Sequence, residues 1–324
     1  MQLKKIKINS FVLALMAAII VAYIVPSGAE LLHIHTVTDV GIGLIFFFYG
    51  LNLSFAQVRS GLSNYKLHTL IQCSTFLLFP LVILLAKPIL VSGVGELLWV
   101  GLFFLATLPS SVSSSVVMVS LAKGNVPAAI FNASISGLIG VVITPLWLGM
   151  VVEQVQGISF TEVFLKLIIQ IILPITLGLV LNKKIGHIAK RHKKWISNFD
   201  KSIIVLIVYA AFSHSFIIHL FEGMHWTQFA LVYVCVLLLF FLMMFLMNII
   251  SKKVFKFPIE DRITALFCGS KKSMVHGSVM AKVMFGNSPN GSLFILPIML
   301  YHISQIIIIA VIAEKFGKRA IEKP

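Results

Sequence analysis

The chain has 324 residues, of which 59% are hydrophobic and 11% charged, with 26 phenylalanines and a mean hydropathy of +1.01. A soluble domain, in which roughly a quarter of the residues carry charge, is excluded, and a polytopic membrane protein is indicated. The formal charge of +15 does not call for nucleic acid, because most lysines and arginines sit in short loops and tails beside apolar runs, where they act as a topology signal.

Taken in chain order, the apolar stretches predict ten transmembrane helices near 8–27, 36–57, 66–91, 97–121, 126–150, 162–182, 201–219, 227–250, 261–285 and 291–314. Lys4, Lys5 and Lys7 before the first run, with Ser27-Gly28-Ala29 after it, also fit a signal peptide. Retention is the preferred reading, because cleavage leaves nine spans and an unpaired half. Alternate connections are basic: Arg59 and Lys66, Lys123, the stretch Lys183 to Lys201, Lys252 to Arg262, and the tail from Lys315 to Lys323. The opposite loops carry Glu30, Glu96, Glu153, Glu162 and Glu222, with Lys87 and Lys166 as basic exceptions. The positive-inside rule then places both termini in the cytoplasm, and the short loops fit a bacterial inner membrane.

The longest hydrophilic connector, Asn182 to Lys201, divides the spans into two blocks of five. Five is odd, so halves sharing a fold must be inverted repeats related by an axis in the membrane plane, covering 1–160 and 161–324. Both halves are interrupted in their fourth span. Span four carries Pro109-Ser110-Ser111-Val112-Ser113-Ser114-Ser115, and span nine carries Gly269-Ser270-Lys271-Lys272-Ser273. Paired interruptions point to crossed discontinuous helices four and nine, whose exposed ends present dipoles and unpaired carbonyls to a solute or ion. The alternative is that the serines only tighten helix packing.

Lysines near mid-bilayer are costly, by roughly 2.5 to 3.5 kcal/mol on insertion scales, and mark function by default. Adjacent side chains on a helix diverge by about 100°, so Lys271 and Lys272 cannot easily reach one interface together. Three roles are open to them: recognition of an anionic solute, a titrating group that replaces an ion, or a structural pairing with helix C-terminal carbonyls. Lys282 is expected to snorkel to the far interface. Gln72 lies in an apolar span and needs partners. Asn132, Ser134 and Ser136 lie where they can point back to the span-four break. Asp39, Thr38 and Asn52 read as capping residues. Thr144 and Pro145 shape the outer end of span five, and Pro297 kinks span ten. His214, His219, His276 and His302 fit packed histidines better than a proton relay. Cys73, Cys235 and Cys268 have no partners at ligand spacing, so neither a disulfide framework nor a zinc site is expected.

The run Leu108 to Met118, followed by Leu121-Ala122-Lys123-Gly124-Asn125 and Thr144-Pro145-Leu146, resembles helices four and five of the bile acid:sodium symporter (solute carrier family 10) superfamily. The likeness is closest to its divergent branch of member 7 and bacterial homologues. Phe48-Tyr49-Gly50-Leu51-Asn52-Leu53 and Gln72 match helices two and three; Gly269 to Ser273 and Leu296 to His302 match helices nine and ten. The resemblance implies a core domain (66–150 and 227–314) moving against a panel domain (8–57 and 162–219) to give alternating access. It also implies sodium coupling, but with a changed ligand set. Ser115 and Gln72 keep their side chains, whereas Val116, Ala129, Ala133 and Phe267 stand where classical members have Asn, Ser, Thr and Glu, and Lys271 lies near the place of a Gln. The implied sodium donors here are Gln72, Ser113, Ser115 and Asn132 with the main chain at Phe267, Cys268 and Ser270. Candidates for contact with the solute are Ser111, Ser114, Asn132, Lys271, Lys272 and His302.

The reading is therefore a secondary active transporter of a small organic anion, with sodium as the implied coupling ion and no organic cofactor. Its partners are the solute and the bilayer; oligomeric state is not legible. A sodium-independent or proton-coupled carrier and a non-transporting regulator of ion homeostasis are the alternatives. A channel would need a continuous polar stripe, and an enzyme a catalytic constellation; neither pattern is present in the sequence.

Overall fold

The computed structural model describes residues 10–52, 64–111, 113–156, 165, 168–220, 225–286 and 288–319, and these form helices joined by turns. In chain order the helices are α1 (Ser10–Ile24), the single turn α2 (Gly28–Leu31), α3 (Ile34–Asn52), α4 (Tyr65–Leu85), α5 (Lys87–Val94), α6 (Glu96–Thr107) and α7 (Ser113–Leu121). They continue with α8 (Val126–Gln156), α9 (Ile168–Arg191), α10 (Lys193–Ile217), α11 (Trp226–Val254), α12 (Ile259–Gly269), α13 (Met274–Phe285) and α14 (Gly291–Arg319). Among the described residues, seven helices are long and apolar enough to cross a membrane: α3, α4, α8, α9, α10, α11 and α14. The chain is thus an all-helical, multi-pass membrane protein. The fourth and ninth predicted spans are each two short helices, α6 with α7 and α12 with α13.

One connection differs from expectation. The hydrophilic stretch Asn182 to Lys201 is helical to Arg191, turns at His192 and is helical again from Lys193. Gly186, Ala189 and Ile196 bury one side of it, against Leu51, while most of the lysines face outward. Lys190 and Arg191 lie at the negative end of the α9 dipole, so the basic run extends the helix where a loop was expected. Thr38 and Asn52 also differ: both sit inside α3 and donate back to its carbonyls at Ile34, His35 and Phe48, and so do not cap its start.

Two packing groups stand out. In one, α9 lies along α3, α10 packs on α3 and α1 packs on α10. The α3–α9 seam is a backbone contact, because a Cβ on Gly50 would fall 2.2 Å from the Ile175 carbonyl oxygen and one on Gly178 2.2 Å from that of Phe47. In the other, α14 packs on α6, α11 and α13, α4 and α8 pack on α6, and α12 packs on α4, α8 and α11. The groups meet where α10 touches α13 and α14. The turn after α7 closes with Lys123 at φ 56 and a bond from the Gly124 N–H to the Val119 carbonyl. A polar cluster fixes that turn: Asn125 and Asn64 both donate 2.8 Å bonds to the Asp261 carboxylate, and Thr264 donates to the Asn125 carbonyl.

Candidate functional site at two chain breaks

Pro109 has no N–H and cannot continue α6, so the last carbonyls of that helix need partners from elsewhere. Thr144 donates to the Thr107 carbonyl at 2.7 Å, and the Ser110 N–H turns to the Ser136 hydroxyl at 2.9 Å. The second break, after α12, is resolved in the same way. Ser270 donates to the Leu266 carbonyl, Ser110 to that of Cys268, Ser74 to that of Gly269, and the Tyr301 hydroxyl to that of Ser270, all within 2.6 to 2.8 Å. The breaks also bond to each other directly: the Ser273 N–H donates to the Pro109 carbonyl at 2.9 Å. The two interruptions read from the sequence therefore meet in one buried place.

Lys272 is fully enclosed there. Its ammonium donates to the carbonyls of Thr75 (2.8 Å), Ala106 (2.7 Å) and Leu108 (2.8 Å) and lies 4.0 Å from the centre of the Phe79 ring. An ammonium has three N–H donors, so none is left for a solute. Of the three roles open to this residue, the observed contacts are those of pairing with helix C-terminal carbonyls. Its main chain is held by Gln305, which accepts from the Lys272 N–H (3.0 Å) and donates to the Lys272 carbonyl (2.8 Å).

Lys271 points the other way and is equally buried. Its ammonium donates to the Ser114 hydroxyl at 2.7 Å, and that hydroxyl lies 2.7 Å from the hydroxyl of Ser111. Among the described residues Ser114 is its hydrogen-bond partner, and no carboxylate lies within ion-pair distance. His302 lies within electrostatic range of Lys271. Its Nδ1 faces the Gln305 amide, and its Nε2 is buried without a partner. The breaks thus gather Ser111, Ser114, Lys271 and His302, while Asn132 stands apart with α4: it accepts from Gln72 and donates to His68 at 2.7 Å.

The implied sodium donors do not form an oxygen shell. Gln72 donates to both oxygens of Asn132 at 3.2 Å, the Ser270 hydroxyl is bound to Leu266, and the Cys268 carbonyl already accepts from Ser110. The Phe267 ring packs on Phe316. The Ser113 side chain lies outside the described residues. Gln72 Oε1 and Ser115 Oγ are buried acceptors without partners. Among the described residues no cluster of three or more His, Cys, Asp or Glu could hold a metal ion, and two ammonium groups stand at the breaks. Hard cations such as sodium favour carboxylate and carbonyl oxygen, so the residues present do not fit a classical sodium site.

Several participants were not anticipated. Thr75, Phe79, Tyr301, His68 and Gln305 all bear on the site; a glutamine inside the apolar run of α14 is the one that the rarity of intramembrane polar residues could have flagged. His276 bonds Ser273 and packs edge-on to Phe46 and Tyr49, as a packed histidine. Lys282 does not snorkel outward: it donates to His35 at 3.0 Å and lies 3.9 Å from Asp39, both on α3. Cys73, Cys235 and Cys268 are free thiols.

A multi-pass helical protein with two broken helices meeting around buried cations has the construction of a membrane transporter. The profile of the SBF-like CPA transporter family matches residues 9–318, and the chain belongs to that family. It is 37% identical over 314 residues to an uncharacterised protein of Pseudomonas aeruginosa, covering 96% of this chain and 93% of the relative. It is 34% identical over 318 residues to "Putative symporter YfeH" of Escherichia coli, covering 96% and 94%. It is also 29% identical over 303 residues to sodium/bile acid cotransporter 7 of Danio rerio, covering 92% and 90%.

Proposed function

We propose that this protein is a secondary active transporter that carries a small organic anion across a bacterial inner membrane by alternating access. The observation that carries this reading is Lys271, an ammonium buried at the junction of two chain breaks and held by one neutral hydroxyl. Its remaining donors, the Ser111 and Ser114 hydroxyls, the free Nε2 of His302 and the N-termini of α7 and α13 together form an environment that favours negative charge. Nothing in it selects a steroid over a smaller anion.

In this reading the chain has ten spans in two inverted halves, 1–160 and 161–324, with the interrupted fourth and ninth spans crossing. The group built on α4, α6–α8 and α11–α14 moves against the group built on α1, α3, α9 and α10. Three polar contacts between the groups would exchange during the cycle: Tyr49 to the Ser134 carbonyl, Ser215 to Ser292, and Lys282 to His35 and Asp39. Basic connections place both termini in the cytoplasm.

Coupling that does not use sodium is favoured by the two ammonium groups at the breaks. Sodium coupling is the second reading, favoured by the free oxygens of Gln72 and Ser115 and by the names of the relatives.

The test is counterflow in proteoliposomes with labelled monocarboxylates, dicarboxylates, sulfonates and phosphate esters, run in sodium, potassium and choline chloride and under an imposed pH gradient. Saturable exchange of at least one anion, lost in Lys271→Met, is expected. Flux equal to that of protein-free vesicles across the panel would favour a non-transporting regulator, and exchange unchanged by Lys271→Met would remove the anion site.

A further inference from the structure

The partners of the Lys272 ammonium are main-chain carbonyls, and each is available for an identifiable reason. In α4 the backbone widens at Ser74–Leu78, so that the Phe79 N–H reaches back five residues to the Ser74 carbonyl. The next donor in that pattern is residue 80, a proline with no N–H, and the Thr75 carbonyl is left open. The Phe76 carbonyl, open for the same reason, takes the Trp147 indole N–H at 2.7 Å. At the end of α6, the helical partner of the Ala106 carbonyl would be the Ser110 N–H, which donates to Ser136 instead. The Leu108 carbonyl points out of the same break, beyond the last helical turn.

Three oxygens from two elements thus converge within 2.7 to 2.8 Å of one point, above an aromatic face and at the negative end of a helix dipole. Unwound carbonyls and half-helix C-termini are the parts from which transporters and channels build sites for bare monovalent cations. A lysine placed only to be neutralised would pair with a carboxylate, and among the described residues none lies within ion-pair distance of this one.

We propose that Lys272 is a tethered cation: its ammonium permanently fills a monovalent-cation cage formed by the carbonyls of Thr75, Ala106 and Leu108 and the Phe79 ring. The cage of this chain therefore takes no exchangeable ion, and removing the tether converts it into a site for a small monovalent cation. The proposal stands apart from the transport reading, because it concerns occupancy and is measured without a solute.

The experiment is thermal unfolding of detergent-purified wild type, Lys272→Ala and Lys272→Gln. Each is titrated at constant ionic strength with ammonium, methylammonium, sodium or potassium chloride against choline chloride. Lys272→Ala is expected to unfold several degrees below wild type in choline and to recover saturably with at least one small cation. Lys272→Gln keeps two N–H donors, fills the cage and loses the charge; it is expected to unfold below wild type without recovery. Absence of any cation response in Lys272→Ala, or either variant matching wild type in choline, overturns the proposal. So does a saturable sodium-specific shift in wild type that Lys272→Ala abolishes. Where Lys272→Ala does not accumulate, Lys272→Gln decides by the same comparison with wild type.

Discussion

Replacing Gln305 with leucine tests whether the second break is held open by one side chain. The glutamine is fully buried and satisfies both main-chain groups of Lys272, accepting at 3.0 Å and donating at 2.8 Å. Leucine fills a similar volume and leaves a buried N–H and a buried carbonyl without partners. Each such loss costs about 1–3 kcal/mol in protein interiors, whereas interhelical side-chain bonds measured in membranes average about 0.6 kcal/mol. Two bonds therefore put the expected loss between about 1 and 6 kcal/mol, centred near ~3. An unfolding entropy of about 2.1 cal/mol/K per residue over 324 residues converts that centre into a fall in Tm of ~4 °C. Cys268 is a built-in reporter, because its buried thiol should become reactive to a fluorogenic maleimide only as the breaks come apart, while Cys73 is exposed and labels at once. Ile307→Ala, on the exposed side of the same helix, serves as the control and should stay within about 0.5 kcal/mol of wild type. A Gln305→Leu protein with the Tm of the Ile307→Ala control would refute the claim that this amide sets the geometry of the break.

The two neighbouring lysines should respond oppositely. Lys271 has one neutral partner and no ion pair among the described residues, so Lys271→Met should raise Tm, since replacing a buried charge by an apolar group of similar volume is often stabilising by about 1–4 kcal/mol. It should at the same time abolish anion exchange in proteoliposomes; a lowered Tm would mean that the ammonium has compensation not seen in this structure. Gly50→Leu should prevent the close approach of α3 and α9, costing at least the ~1–3 kcal/mol typical of overpacking. Gly43→Leu on the same helix should be tolerated, since its nearest neighbour is a Pro174 side-chain atom 4.0 Å from the added Cβ, and size-exclusion profiles with Tm compare the two. Asp39→Asn should cost no more than about 1 kcal/mol, because its pairing with Lys282 is half exposed. Lys282→Met, which also removes the bond to His35, should lower Tm further.

Much of the architecture was legible in the chain because lipid imposes a simple code. A segment that is apolar over about 20 residues must satisfy its backbone internally, and helix is the solution that needs no neighbour. The same rule exposed the two breaks, since Pro109 with its serines and Gly269 to Ser273 violate that code in equivalent places. It also misled once: the basic stretch Asn182 to Lys201 looked like a loop because charge was read as an interruption. Lysines are good helix formers, and their partners Gly186, Ala189 and Ile196 lie at helical spacing.

The sequence by itself determined that this is a multi-pass helical membrane protein with two interrupted helices and two lysines where lysines are costly. Only the tertiary structure decided which lysine does what. Residues 271 and 272 are identical in composition and adjacent in the chain, so no local property separates them. Their directions differ because the backbone is extended between α12 and α13, sending one ammonium to Ser114 and the other to Thr75, Ala106 and Leu108. Those acceptors lie more than 150 positions away along the chain, at |i−j| of 157, 197, 166 and 164. An acceptor that far removed becomes a partner only through packing, and whether its carbonyl is open depends on turns and prolines in another helix.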